Sequence, residues 1–219
     1  MVLYKIPIMI LTLSMLYIFI VPDEPFSFKL FFKLLPMVMI IYYAFRLTPK
    51  KKRLVHWVII IGLFVSMLGD AIIHWFLLGL IAFFIAHVSY TIGFFSVRKP
   101  KLNKIQIFLI LLTILYGAIF SFLLLPTLSG NGNASLILPV AAYILMITVM
   151  YIGAVCTGNK PAIIGALLFI ISDSILAWNK FVAPVAFADA LIMLPYYTAQ
   201  LLIAISLHSL VETKRRIVW

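Results

Sequence analysis

Two carboxylates stand where a carboxylate is expensive. Asp70 lies in Gly62-Leu-Phe-Val-Ser-Met-Leu-Gly-Asp-Ala-Ile-Ile-His-Trp75, and Asp173 lies in Ala166-Leu-Leu-Phe-Ile-Ile-Ser-Asp-Ser-Ile-Leu-Ala-Trp178. Inside hydrocarbon an acidic side chain costs about 2.5 kcal/mol or more unless it is neutral, paired or wetted, so such residues mark pathways and sites. The other acids have plainer settings: Asp23, Glu24 and Asp189 fall at outer helix ends, and Glu212 falls among basic residues. Two buried acids facing one cavity repel, and one then keeps its proton, which is the division of labour that acid–base catalysis needs.

Other polar groups lie at comparable depth. His87 and Tyr90 are spaced i, i+3 and share a helix face; Tyr197 and Gln200 repeat that spacing, with Tyr196 beside them. Lys33, between Phe32 and Pro36, is shallower and suits an aspartate partner or a phosphate, and Asn179 and Lys180 close the outer end of their helix. The plain alternatives are interhelical hydrogen bonds for the aspartates and His87, and snorkelling for Lys33 and Lys180. A zinc site is disfavoured because His56 and His208 fall near the inner surface, His74 at the outer end and His87 midway, so no three converge. No His-Glu-x-x-His, Gly-x-Ser-x-Gly or phosphate-binding glycine loop is present. Ser172 and Ser174 flank Asp173 on one helix and point away from it, which leaves little for serine-hydrolase chemistry.

The elements that position these groups follow from composition. Of 219 residues, 65% are hydrophobic and only 11% charged, whereas a soluble domain needs about a quarter charged to cover its surface. The chain belongs in a bilayer. One cysteine, Cys156, forms no internal bridge, and the net charge of +11 comes from short clusters between apolar runs rather than from a nucleic-acid-binding face. Eight apolar runs of near-spanning length are predicted, at 6–21, 28–45, 55–73, 76–96, 105–125, 136–156, 162–182 and 187–210, separated by proline, glycine and lysine breakers. The fold class is therefore all-α: one polytopic transmembrane domain of eight helices over 1–219. Lys5 ahead of the first run gives it a signal-peptide look, but no small-residue cleavage site follows and it reads as a helix.

Fourteen of the seventeen basic residues fall on one side of this arrangement and only Lys29, Lys33 and Lys180 on the other, so both termini are expected in the cytoplasm. The Asp70 and Asp173 segments align, each with the acid after a small residue and five before a tryptophan, which suggests a parallel repeat of four plus four helices. Helix seven climbs from Ala162 and sets Asp173 about 17 Å along it, near the bilayer midplane, with Asp70 expected at similar depth.

The stretch from Gly165 to Phe181 and the one from Ala190 to Ala204, together with Gly69-Asp70, His87-Val-Ser-Tyr90 and Phe32-Lys33-Leu-Leu-Pro36, resemble the motifs of the YhhN-like lysoplasmalogenase family, in order and over nearly the whole chain. The resemblance implies a multi-pass ether hydrolase that splits the vinyl ether of a lysoplasmalogen into a fatty aldehyde and a glycerophospho-choline or -ethanolamine. Vinyl ethers hydrolyse by protonation at carbon and capture of the oxocarbenium by water, so Asp70 and Asp173 are the expected catalytic pair, with their roles open. His87, Tyr90, Tyr196, Tyr197 and Gln200 would position water and substrate, and Lys33, Asn179 and Lys180 the phosphate. The expected partners are a lysophospholipid and the bilayer, with no nucleic acid, no metal and no cofactor. Midplane acids on repeated halves also fit a proton-coupled lipid or small-molecule transporter. Short loops and the Ile, Phe and Lys bias lean towards a bacterial plasma membrane, with the endoplasmic reticulum as the alternative.

Overall fold

A computed structural model describes residues 5–49, 51–130 and 132–210. The helices are α1 Lys5–Phe19, α2 Phe26–Leu47, α3 Leu54–Ile72, α4 Phe76–Ser96, α5 Lys104–Gly130, α6 Ile137–Thr157, α7 Lys160–Phe181 and α8 Ala188–Ser209, with one 3-10 turn at Ala134–Leu136 before α6. All described regular structure is helical. Seven helices are long and apolar enough to cross a membrane, and the chain is a multi-pass membrane protein. Lys50, Asn131, Glu212 and the Lys214-Arg215-Arg216 cluster lie outside the described residues.

Two elements differ from the sequence expectation. α1 has 15 residues and stops at Phe19, about 22 Å of helix against a hydrocarbon core of about 30 Å. α5 runs on past the expected end near Leu125 to Gly130, through Pro126. A proline inside a helix forfeits one hydrogen bond, but Leu124 and Leu128 on either side are fully buried against α6 and Phe181, and that packing carries the helix past the break. The Gly158-Asn159-Lys160-Pro161 stretch behaves as read. Gly158 takes the left-handed conformation (φ 64°) that ends α6, Asn159 caps α7 by accepting the Ala162 N–H at 3.1 Å, and Pro161 sits in the first turn, where its missing N–H costs nothing.

The closest helix pairs are α3 with α4 and α7 with α8. A glycine opens each of them. A Cβ on Gly62 of α3 would stand 2.4 Å from the Tyr90 ring of α4, and one on Gly165 of α7 would stand 3.0 Å from the Ala199 carbonyl of α8. These two glycines precede Asp70 and Asp173 by the same eight residues, so each acid is carried on a helix locked to its successor. The core they enclose holds Met37, Ile59, Leu63, Tyr90, Met150, Phe169 and Ile203. Outward faces stay apolar, with Phe108, Leu111 and Phe122 of α5 and Leu138 and Leu145 of α6 well exposed, as a lipid-facing surface requires.

Candidate active site

Asp173 is held by a phenol and an imidazole. The Tyr143 O–H from α6 donates to its Oδ2 at 2.5 Å, His87 Nε2 from α4 lies 3.4 Å from the same oxygen, and His87 Nε2 is 2.8 Å from the Tyr143 hydroxyl. The three form a closed triangle. His87 is fully buried and its Nδ1 has no hydrogen-bond partner among the described residues, while the Asp173 side chain keeps 16% exposure. That exposure faces a furrow between α4, α5, α6 and α7, about 680 Å³ counted out to the surroundings but with only about 60 Å³ wide enough for water. Its walls are Phe76, Leu80, Phe120, Leu124, Ile144 and Ile170, and its other polar groups include Tyr116 and Ser174, which bond each other at 2.6 Å.

Asp70 is held differently. The Tyr196 O–H from α8 donates to Oδ2 at 2.5 Å, and the Lys33 ammonium from α2 lies 3.7 Å from Oδ1 and donates to the Asp70 backbone carbonyl at 3.4 Å. Tyr197 donates to the Lys33 carbonyl at 2.7 Å and fixes α2 against α8. The carboxylate is 4% exposed and borders a separate cavity of about 300 Å³ with Tyr17, Lys29, Lys33 and His74. Lys29 there pairs with Asp23 and, at 3.4 Å, with Asp189; in the loop ahead of α2 its ammonium holds the Asp23 carboxyl below the usual carboxylate range.

One shared pocket for the two acids was the expectation, and the structure differs. Each lines its own cavity, and an aromatic septum stands between them: Phe169 packs 4.7 Å from His87 and 5.5 Å from Tyr196, and Phe83 lies 5.9 Å from Tyr196. Gly69 gives Phe83 its room, since a Cβ there would meet the ring at 3.0 Å. The cavities adjoin at Ile73, which lines both. Tyr90 of α4 and Gln200 of α8 bond each other at 2.7 Å, with Ser66 at 3.3 Å from Tyr90.

Asn179 and Lys180 do not join either cluster. The Asn179 side chain accepts the Val185 N–H at 2.8 Å and folds the loop after α7, and the Lys180 ammonium sits 4.7 Å from the Phe76 ring centroid, at the rim of the furrow. Tyr143 escaped the sequence reading. Ranking the tyrosines of every helix by depth would have found it, because it stands about 9 Å into α6 from the end where α7 finishes, close to the level of Asp173. His56 is a structural residue whose Nδ1 accepts the Arg53 N–H at 2.8 Å at the start of α3.

A model of the YhhN family matches residues 28–207. The chain belongs to the YhhN family. Among curated relatives, this YhhN protein is similar to "Lysoplasmalogenase TMEM86B" of Rattus norvegicus, 32% identical over 202 residues, covering 90% of this chain and 81% of the relative. It is also similar to the human protein of that name (39% over 145 residues; 64% of this chain, 59% of the relative) and to "Lysoplasmalogenase TMEM86A" of Bos taurus (35% over 159 residues; 68% and 64%). No solved structure matches it significantly. The matched span of the YhhN model runs from α2 into α8 and so contains both aspartates and every residue bonded to them.

Proposed function

We propose that this protein is a lysoplasmalogenase, an ether hydrolase acting on alkenyl-glycerophospholipids within the membrane. Likeness to relatives named lysoplasmalogenase along most of the chain carries this reading and favours it over transport. The geometry supplies a division of roles. Asp173, bonded by a phenol and an imidazole rather than by a cation, is the acid; Asp70, facing the Lys33 ammonium, is the ionised partner.

In one turnover the Asp173 carboxyl proton passes to C2 of the alkenyl chain lying in the furrow, and the ether oxygen's lone pair forms the oxocarbenium at C1. Water adds to C1 and gives its proton to the Asp173 carboxylate. The hemiacetal then moves its hydroxyl proton to the glycerol oxygen and breaks to aldehyde and alcohol. The hydroxyl of Tyr143, with His87 behind it, relays that proton. Asp70, paired with Lys33 behind a thin aromatic wall, adds only the dipole of that pair to the field at the cation and holds α2, α3 and α8 together around the furrow. Lys180 lies on the headgroup side of the furrow, Lys33 stays on Asp70, and Tyr90, Tyr196, Tyr197 and Gln200 hold the two clusters in register. Asn179 enters only through the loop it folds.

The architecture we propose has eight spans, α1 included, as one transmembrane unit. Ile6, Ile10, Ser14 and Tyr17 of α1 are buried on the bundle while Ile8, Met9 and Leu11 face outward, and apolar residues continue past Phe19. The two halves are parallel repeats. Support comes from the equal spacing of Gly62–Asp70 and Gly165–Asp173, from α3·α4 and α7·α8 being the tightest pairs, and from α4 meeting α6 as α8 meets α2. With both termini cytoplasmic, the aspartates open towards the outer leaflet of a membrane that composition suggests is a bacterial plasma membrane.

The test is hydrolysis of a lysoplasmalogen by purified protein in D2O. Fatty aldehyde carrying one deuterium at C2 is the expected product. Aldehyde without C2 deuterium, or no turnover of any vinyl ether lipid, contradicts the proposal.

A further inference from the structure

At the opposite end of the bundle from the aspartates, the ends of α3, α4, α6, α7 and α8 surround a cleft of about 570 Å³. Lys160, on its wall, starts α7 about 20 Å along the helix from Asp173, so this cleft is no part of the furrow. Its charged lining is Arg53, Arg98, Lys99 and Lys160, from three separate stretches of chain, and among the described residues no acidic side chain lines it. None of the four makes an ion pair among the described residues.

The cleft is built on fixed backbone. Asn159 Nδ2 donates to Ser209 Oγ at 2.7 Å and ties the α6–α7 turn to the end of α8, and the Lys99 N–H donates to the Cys156 carbonyl at 2.9 Å and ties the α4–α5 link to α6. The Lys99 ammonium lies over Gly158, 2.6 Å from where a Cβ would stand, so a side chain at 158 would collide with it. Four exposed charges of one sign around a single cleft give it a positive field that draws in anions. Lys52 shows the contrast, since outside the cleft it rests on the Trp57 and Phe45 rings.

We infer that this cleft is a binding site for a net-anionic phosphate group, supplied by the headgroup of an anionic phospholipid in the adjoining leaflet or by free phosphate. A zwitterionic headgroup gains less, because its ammonium would be repelled by the four cations and meets no described carboxylate in the lining. The site is independent of the hydrolase reading and stands or falls separately from it.

The test uses the full chain in neutral detergent, titrated with dioleoyl-phosphatidylglycerol or dioleoyl-phosphatidylcholine, with bound lipid counted by native mass spectrometry and unfolding followed by temperature. Phosphatidylglycerol should be retained and raise Tm by several degrees, and phosphatidylcholine should do neither. Replacing Arg98, Lys99 and Lys160 together by Gln should weaken phosphatidylglycerol binding at least fivefold. Replacing Lys51, Lys101 and Lys104 by Gln removes the same charge from the same end outside the cleft, and binding should persist. Arg98→Gln and Lys160→Gln alone carry the comparison if the triple variant misfolds. Displacement of the lipid by millimolar inorganic phosphate supports the site and identifies the free ion as a ligand; resistance to it supports the site and assigns the lipid headgroup. Equal retention of both lipids, or equal loss of binding in both variant sets, overturns the inference.

Discussion

The Asp70 and Asp173 clusters share a plan and differ in one partner. In each, an aspartate eight residues beyond a helix-packing glycine accepts a tyrosine hydroxyl at 2.5 Å from a neighbouring helix. Asp70 then meets an ammonium 3.7 Å away and is nearly sealed, whereas Asp173 meets an imidazole at 3.4 Å and keeps an edge open to an apolar furrow. Lys33 sets a full positive charge beside Asp70, whereas Asp173 has a ring and a phenol as its partners. In the mechanism we propose, one frame thus carries two kinds of acid, and the third side chain decides between a fixed carboxylate and a proton donor.

The most severe way to break this distinction is at the donor. Asp173→Asn should cut aldehyde release about 10²–10⁴-fold with little change in thermal unfolding, because the amide keeps the Tyr143 contact. Asp70→Asn acts on stability first: it leaves the Lys33 ammonium buried without its carboxylate, a loss of about 3–5 kcal/mol. The double change Asp70→Leu with Lys33→Met should restore most of the lost Tm in detergent, and failure to do so would mean that the pair is not what holds α2 to α3. Tyr143→Phe removes one charge-assisted hydrogen bond, about 1.5–3 kcal/mol, and should lower kcat about tenfold to a hundredfold while substrate affinity holds. Gly117→Leu intrudes on Thr148, whose hydroxyl lies 2.9 Å from the added Cβ, and narrows the furrow, so turnover should fall several-fold more for long alkenyl chains than for short ones. Lys180→Gln should be the mildest, a few-fold rise in KM at most, since a rim cation over an aromatic ring contributes about 0.5–1 kcal/mol.

Much of this was legible in the sequence where hydrocarbon imposes the rule. Of the eight spans read from run length and breakers, seven are helices long and apolar enough to cross a membrane, because every backbone polar group in a bilayer must be satisfied within a helix. Asp70, Asp173, His87, Tyr196 and Lys33 declared themselves by being polar where polarity is costly. Run length could not show that α5 continues through Pro126, which depends on how Leu124 and Leu128 pack. Tyr143 was overlooked because an amphipathic phenol in an apolar run reads as core. The septum of Phe83 and Phe169 was also hidden, since depth along a helix says nothing about what stands between two side chains at the same level. Asn179 and Lys180 sat in the right sequence neighbourhood, yet turn to a loop and to a ring.

The central claim is that Asp173 delivers the proton. The direct measurement is the initial rate of aldehyde release from a lysoplasmalogen by folded Asp173→Asn beside the unsubstituted protein. The account predicts a loss of at least about a hundredfold at an unchanged Tm, and a rate within a few-fold of the unsubstituted protein would contradict it.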